Sequence, residues 1–203
     1  MSTFVLLLKK DLRESLAVVS PAFLMGFSVF ILLQLSRDIP HAQTSDFWFS
    51  FFVSSSALFY RSFSLEHRSQ NFAVYRAAGL SLQKLFWSQV IVQMLRLLSI
   101  GFLLVIVLAA FGLPAASLWP LCLSVGFAMS PFATFLGLSL KAEKEFLFSF
   151  VYFPFVTPLV LAGASLSSAD SNQSVWWSIL ILFGLGASFI SAVAFEFFFD
   201  DLA

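Results

Sequence analysis

The sequence predicts an all-α, polytopic membrane protein: six transmembrane helices preceded by an amphipathic interfacial helix. Three observations predict this. Six long apolar segments fit into 203 residues, the composition is 60% hydrophobic and 11% charged with a mean hydropathy of +0.94, and the basic residues fall almost entirely on one side of the segments. The segments are 17–35, 47–63, 91–113, 118–140, 146–166 and 175–199. At about 1.5 Å per residue, each crosses or nearly crosses a hydrocarbon core of about 30 Å. No stretch remains for a soluble domain, so residues 1–203 read as one transmembrane domain whose function lies in the bundle or its short loops.

Ahead of the first segment, Phe4, Leu8, Leu12 and Leu16 recur every four residues, with Lys9, Lys10, Arg13 and Glu14 on the opposite side. This is the pattern of an amphipathic helix lying in the inner interface. A full span follows it, without the short apolar region and small-residue cleavage site of a signal peptide, so cleavage is not expected. Ser20 and Pro21 are expected to cap or kink the entry into the first span.

Basic residues set the orientation. Lys9, Lys10, Arg13, Arg61, Arg68, Arg76, Lys84, Lys141 and Lys144 fall on one side, with Arg37 alone on the other and Arg96 inside a span. Short loops rich in Lys and Arg stay cytoplasmic, which places both termini and the two basic loops inside an inner membrane. Trp48, Trp119, Trp176 and Trp177 fall at the expected outer ends, where an indole suits the interface.

The connection 64–93 is the longest polar one and holds Glu66-His67-Arg68, a 72–78 segment, Gly79 and Ser81. Residues 72–78 are expected to make two helical turns, ended by Gly79, with Ser81 capping the next helix. Such a cytoplasmic helix, exposing Phe72, Tyr75 and Arg76, suits either a groove on a soluble partner or the lipid headgroup layer, and spacing alone leaves the two equal. Beyond it Gln89, Gln93 and Arg96 lie at i, i+4 and i+7 on one stripe. An arginine at that position faces protein or water, or reaches for a headgroup. Its place about a turn and a half into the apolar run favours snorkelling over substrate contact.

In the last three spans Pro131, Pro154 and Pro158 each remove a backbone donor, and the carbonyls they free need partners. The pairs Gly184 and Ser188, Ala187 and Ser191, and Ser124 and Ala128 permit close helix approach. Cys122, the single cysteine, reads as a small apolar residue.

The sequence holds no H-E-x-x-H, G-x-S-x-G or phosphate-loop motif, and the two histidines, His41 and His67, are expected in opposite loops. No catalytic residue, metal ligand or cofactor is therefore assigned. Two histidines on opposite faces of a membrane do not bracket one haem iron.

Several of these features together resemble a known family. Lys141 is followed by a Leu- and Phe-rich helix and then P-x-x-x-P-L at Pro154, Pro158 and Leu159; Leu65-Glu66-His67-Arg68 leaves the second span, and Gly79-Leu80-Ser81-Leu82 turns into the third. With the basic amphipathic start and six spans, the whole chain resembles the haem exporter protein B family (CcmB), the ABC-2-like permease subunit of the cytochrome c maturation ABC transporter. That resemblance implies a non-catalytic permease coupling ATP hydrolysis in a separate ATP-binding cassette subunit to haem export or release of haem-loaded chaperone. Implied partners are that ATPase, further cytochrome c maturation membrane subunits, the haem chaperone, membrane lipid and a second copy in a homodimer; none is a nucleic acid.

ATPase coupling would fall to Glu66, Arg68, Phe72, Tyr75 and Arg76, with Lys141 and Lys144 forming the second inner loop. The chain departs from the family at Gln70-Asn71-Phe72-Ala73-Val74, where an acidic-glycine pattern and Leu-Glu are usual, so docking is expected to use different contacts. Two other classes stay open: a generic ABC-2 exporter half for a lipid or drug, and a passive scaffold for haem-handling subunits.

Overall fold

The computed structural model describes residues 14–36, 43–68, 81–112, 118–139, 145–168 and 173–200. They form six helices: α1 (Ser15–Leu35), α2 (Thr44–Arg68), α3 (Leu82–Ala110), α4 (Leu118–Ser139), α5 (Glu145–Ser167) and α6 (Gln173–Asp200). No strand occurs among the described residues. Every helix except α2 is long and apolar enough to cross a membrane, which marks a multi-pass membrane protein.

The helices alternate in direction. At one end of the bundle Gln34 of α1 meets Asp46 of α2, Trp48 of α2 meets Ser167 of α5, and Phe102 of α3 meets Trp119 of α4. At the other end Tyr60 of α2 faces Phe148 of α5, and Gln83 and Phe86 of α3 meet Glu196 and Phe195 of α6, while α1 begins at Ser15 beside the midpoint of α3.

Helix α2 departs from the expected pattern for a physical reason. It carries seven serines with Asp46, Arg61, Glu66 and Arg68, and so lacks the apolarity of its neighbours. It is packed against α1, α3, α4 and α5. Phe47, Trp48, Phe51, Leu58 and Phe59 are almost wholly buried. A helix surrounded by protein has no need of an apolar exterior, and small polar residues let its neighbours come close.

At Gly26 of α1, an added Cβ would collide with Ser54 Oγ and the Ser50 carbonyl, so the absent side chain is what lets α1 lie against α2. The same device joins α4 to α6. A Cβ on Gly184 would stand 3.2 Å from that of Ala128, and Ala187, Ser188 and Ser191 are buried beside it, as the small-residue pairs predict.

Four local expectations are corrected. Helix α3 begins at Leu82, where Ser81 as its expected cap places it and nine residues ahead of the apolar run at 91, and α2 runs on to Arg68, so the connection is 69–81 rather than 64–93. The polar residues Gln83, Lys84, Ser88 and Gln89 keep this part of the helix out of the apolar run, and Ser88 and Gln89 are buried. Ser81 does occupy the N-cap position, in extended conformation, yet its hydroxyl makes no capping bond.

Pro21 lies inside α1, six residues past its start, rather than at its entry. Trp48 is not an interfacial anchor. It is 1% exposed, donates its indole N–H to Ser167 Oγ at 2.7 Å, and packs on Gly163, where a Cβ would stand 2.6 Å from the ring.

Candidate functional site

The most demanding group in the bundle is the guanidinium of Arg96. Arg96 is the middle residue of the 29-residue α3, fourteen residues from each end. That helix is about 42 Å long, more than a hydrocarbon core of about 30 Å requires, and α1 begins beside its midpoint, where Ser15 meets Arg96. The sequence expectation of a snorkelling arginine is corrected to one that faces protein, because the guanidinium is buried and bonded to two other helices.

Arg96 is 5% exposed and points into the protein. Its Nη1 donates to Ser62 Oγ at 2.6 Å and its Nε to Ser15 Oγ at 3.1 Å. Gln93, one turn earlier on the same face, donates its amide to the same Ser62 Oγ at 2.5 Å. Gln89, one turn earlier again, is buried on this stripe.

Three helices thus meet at one cationic point: α3 through Gln93 and Arg96, α2 through Ser62, and α1 through Ser15. Hydrogen bonds from a charged donor are about twice as strong as neutral ones. Sliding any of the three helices past the others breaks at least one of them in a medium that offers no water in exchange.

A second polar contact closes the opposite end of the same helix pair. Gln34 Nε2 donates to Asp46 Oδ2 at 2.9 Å, and the Gln43 backbone N–H donates to that oxygen at 2.9 Å. Asp46 and Gln34 are both buried. Between the two contacts the α2 face toward α1 carries Ser50 and Ser54, whose buried hydroxyls have no hydrogen-bond partner among the described residues. On a neighbouring face Ser55 Oγ and Tyr152 Oη share a hydrogen bond at 2.9 Å, tying α2 to α5.

Of the residues singled out from sequence, Gln93 and Arg96 come together. Pro131 is buried in α4, whereas Pro154 is exposed and Pro158 half-buried on α5, well away from Arg96's contacts. Glu66 and Arg68 lie in the last turn of α2. Their side chains, and Phe72, Tyr75, Arg76, Lys141 and Lys144 altogether, lie outside the described residues. The amphipathic start at Phe4, Leu8 and Leu12, the 72–78 helix and Gly79 lie outside them as well.

Sequence reasoning missed Ser15, Ser62, Gln34 and Asp46. The signal that reveals the α2 members is their spacing: Asp46, Ser50, Ser54 and Ser62 sit on one every-fourth-residue stripe, with only Leu58 apolar. Among the described residues no three His, Cys, Asp or Glu side chains come together as a metal site. Cys122 is a buried free thiol packed against Gly101 of α3. Comparisons of the chain with protein-family models, with curated proteins and with solved structures find no match.

Proposed function

We propose that this chain is a six-span, ABC-2-like permease subunit, both termini cytoplasmic in an inner membrane. In this reading it transmits ATP hydrolysis by a separate ATPase to movement of its membrane helices, and the complex it serves handles haem in cytochrome c maturation. The observation that carries the transport part is Arg96, a buried arginine at the middle of a membrane-length helix, hydrogen-bonded to two other helices. An arginine placed there costs about 2.5–3.5 kcal/mol on insertion scales, and intramembrane charges of this kind mark moving or substrate-contacting parts. Inclusion of α2 as a span is supported by its 25 residues and its alternation with α1 and α3. The haem part rests on the sequence resemblance alone.

Affinity purification of the chain from its native membranes tests the reading. Co-purification of an ATP-binding cassette ATPase together with haem-handling membrane proteins is the expected result. An ATPase alone favours the generic exporter half, and no ATPase at all favours the scaffold. Within a recovered complex, Arg96→Leu should abolish coupled ATPase activity while leaving assembly intact, because a buried ionic group replaced by an apolar one of similar volume is often neutral or stabilising. Full coupling in Arg96→Leu would remove Arg96 from the mechanism.

A further inference from the structure

The seam between α1 and α2 is tied at both ends and unsatisfied between them. At one end Gln34 bonds the Asp46 carboxylate, and at the other Ser62 and Ser15 accept from the Arg96 guanidinium. Between these ties Gln34 Oε1, Ser50 Oγ and Ser54 Oγ are buried without a hydrogen-bond partner among the described residues. Ser130 and Ser188 show what its own helix offers such a hydroxyl, the carbonyl one turn back. Ser54 leaves that bond unmade. Its Oγ stands where a Cβ on Gly26 would lie, aimed into α1.

A buried hydroxyl left unpaired carries a cost that disappears once water reaches it. The arrangement seen leaves no room for water at Gly26, because even a Cβ is excluded there. Water therefore enters only when α1 and α2 draw apart. At Gly26, Ser50 and Ser54 the parting faces are glycine and serine, which give up little apolar contact, and the hydroxyls gain partners. The contact between α4 and α6 offers no such return at Ser188, which is already bonded.

The mouth of the seam is polar, with Ser36, Gln43 and Ser45 exposed around Gln34 and Asp46. From Asp46 the α2 stripe runs inward about 12 Å to Ser54 before Leu58 interrupts it. Gln34 meets Asp46 and Gly26 meets Ser54, so Ala22, one turn before Gly26, is level with Leu58. Ala22 and Leu58 are both buried.

We propose that this seam is a water path, opening from the Gln34 end as far as Ser54 and sealed beyond it at the level of Leu58 and Ala22. Release of Gln34 from Asp46 opens it, and the unpaired oxygens are the positions that water takes. Of the proposed function, this path requires only that these helices move. No ATPase enters its test, so a chain that recovers no ATPase from its membranes can still show the path, and a coupled complex can lack it.

The test uses the full-length protein with Cys122→Ala, which removes the single native thiol, in lipid nanodiscs that expose both ends of the bundle. Ser50→Cys, Ser54→Cys, Ala22→Cys and Ser188→Cys each supply one thiol, and iodoacetamide is the probe. It attacks the thiolate, which forms where water reaches the sulfur and not in apolar surroundings. Ser50→Cys and Ser54→Cys should react about tenfold faster than Ala22→Cys and Ser188→Cys, the margin that one unpaired polar group gives to opening.

Gln34→Leu removes the tie to Asp46 and should raise the Ser54→Cys rate about tenfold again, with the Ser188→Cys rate unchanged. Rates at Ser50→Cys and Ser54→Cys no higher than at Ser188→Cys would overturn the proposal, because the seam would then be as dry as the contact between α4 and α6. An Ala22→Cys rate equal to that of Ser54→Cys would overturn it too, since nothing would be sealed at Leu58. So would a Gln34→Leu protein in which Ser54→Cys gains nothing relative to Ser188→Cys.

Discussion

The two halves of the bundle differ in whether buried polar groups bond across helices. On α4 and α6 two buried hydroxyls are satisfied within their own helix, Ser130 Oγ at the Gly126 carbonyl and Ser188 Oγ at the Gly184 carbonyl, both at 2.7 Å, while Thr134 Oγ1 has no partner among the described residues. The contact between these helices is one of shape, with Gly184 seated on Ala128. Around α1, α2 and α3, Ser88 is likewise satisfied within its own helix, but other buried polar groups reach across, from Arg96 to Ser62 and Ser15, from Gln93 to Ser62 and from Gln34 to Asp46.

Self-satisfied hydroxyls permit many neighbouring positions, because nothing polar is lost when the neighbour shifts. Cross-helix bonds select one position, because any other leaves a donor or acceptor alone in a dry interior. The first half is therefore packed and the second latched. A conformational change that respects this difference would move α1, α2 and α3 between discrete arrangements while α4 and α6 slide by small amounts.

Three substitutions sharpen the contrast, in descending order of expected effect. Gly26→Val inserts a side chain where Ser54 Oγ and the Ser50 carbonyl already stand, and overpacking against backbone should cost about 3 kcal/mol. Unfolding of the purified protein by an SDS titration in bicelles measures this; an unaltered midpoint would show that α1 is not seated on α2 as described.

Ser62→Ala removes the acceptor that Gln93 and Arg96 share. It should cost about 2 kcal/mol because a hydrogen bond from a charged donor is lost together with that from Gln93, with Ser62→Thr recovering most of the loss. If both variants unfold together at the wild-type midpoint, the latch has no energetic weight. Ser188→Ala removes a bond confined to α6 and should cost about 0.5 kcal/mol in the same titration. A loss as large as that of Ser62→Ala would erase the distinction between the halves.

How much was legible beforehand varies along the chain. The small-residue pairs on α6 pointed to a close helix contact, and the structure supplies the partner, Ala128. Segment 47–63 was picked out although its helix falls short of a membrane span in apolarity, because its phenylalanines outweighed its serines to the eye. Trp48 was read from its place in the sequence as an interfacial ring, yet an indole near a helix end faces lipid or core according to which neighbour stands there. Here Gly163 leaves it a slot in α5.

The sequence by itself determined the helical class, the membrane setting and the approximate position of the six described helices, because apolar length and period are local properties that a chain must display wherever it packs. The depth and partners of Arg96 were decided only by the tertiary structure. Ser81 marked the start at Leu82, but the apolar run began only at 91, because Ser88 and Gln89 face other helices and Gln83 and Lys84 are exposed. Ser15 lies 81 residues from Arg96 and Ser62 lies 34. No local pattern encodes which distant hydroxyl a buried guanidinium will meet, since that follows from how three helices are staggered against one another, and the stagger is set by all their contacts at once.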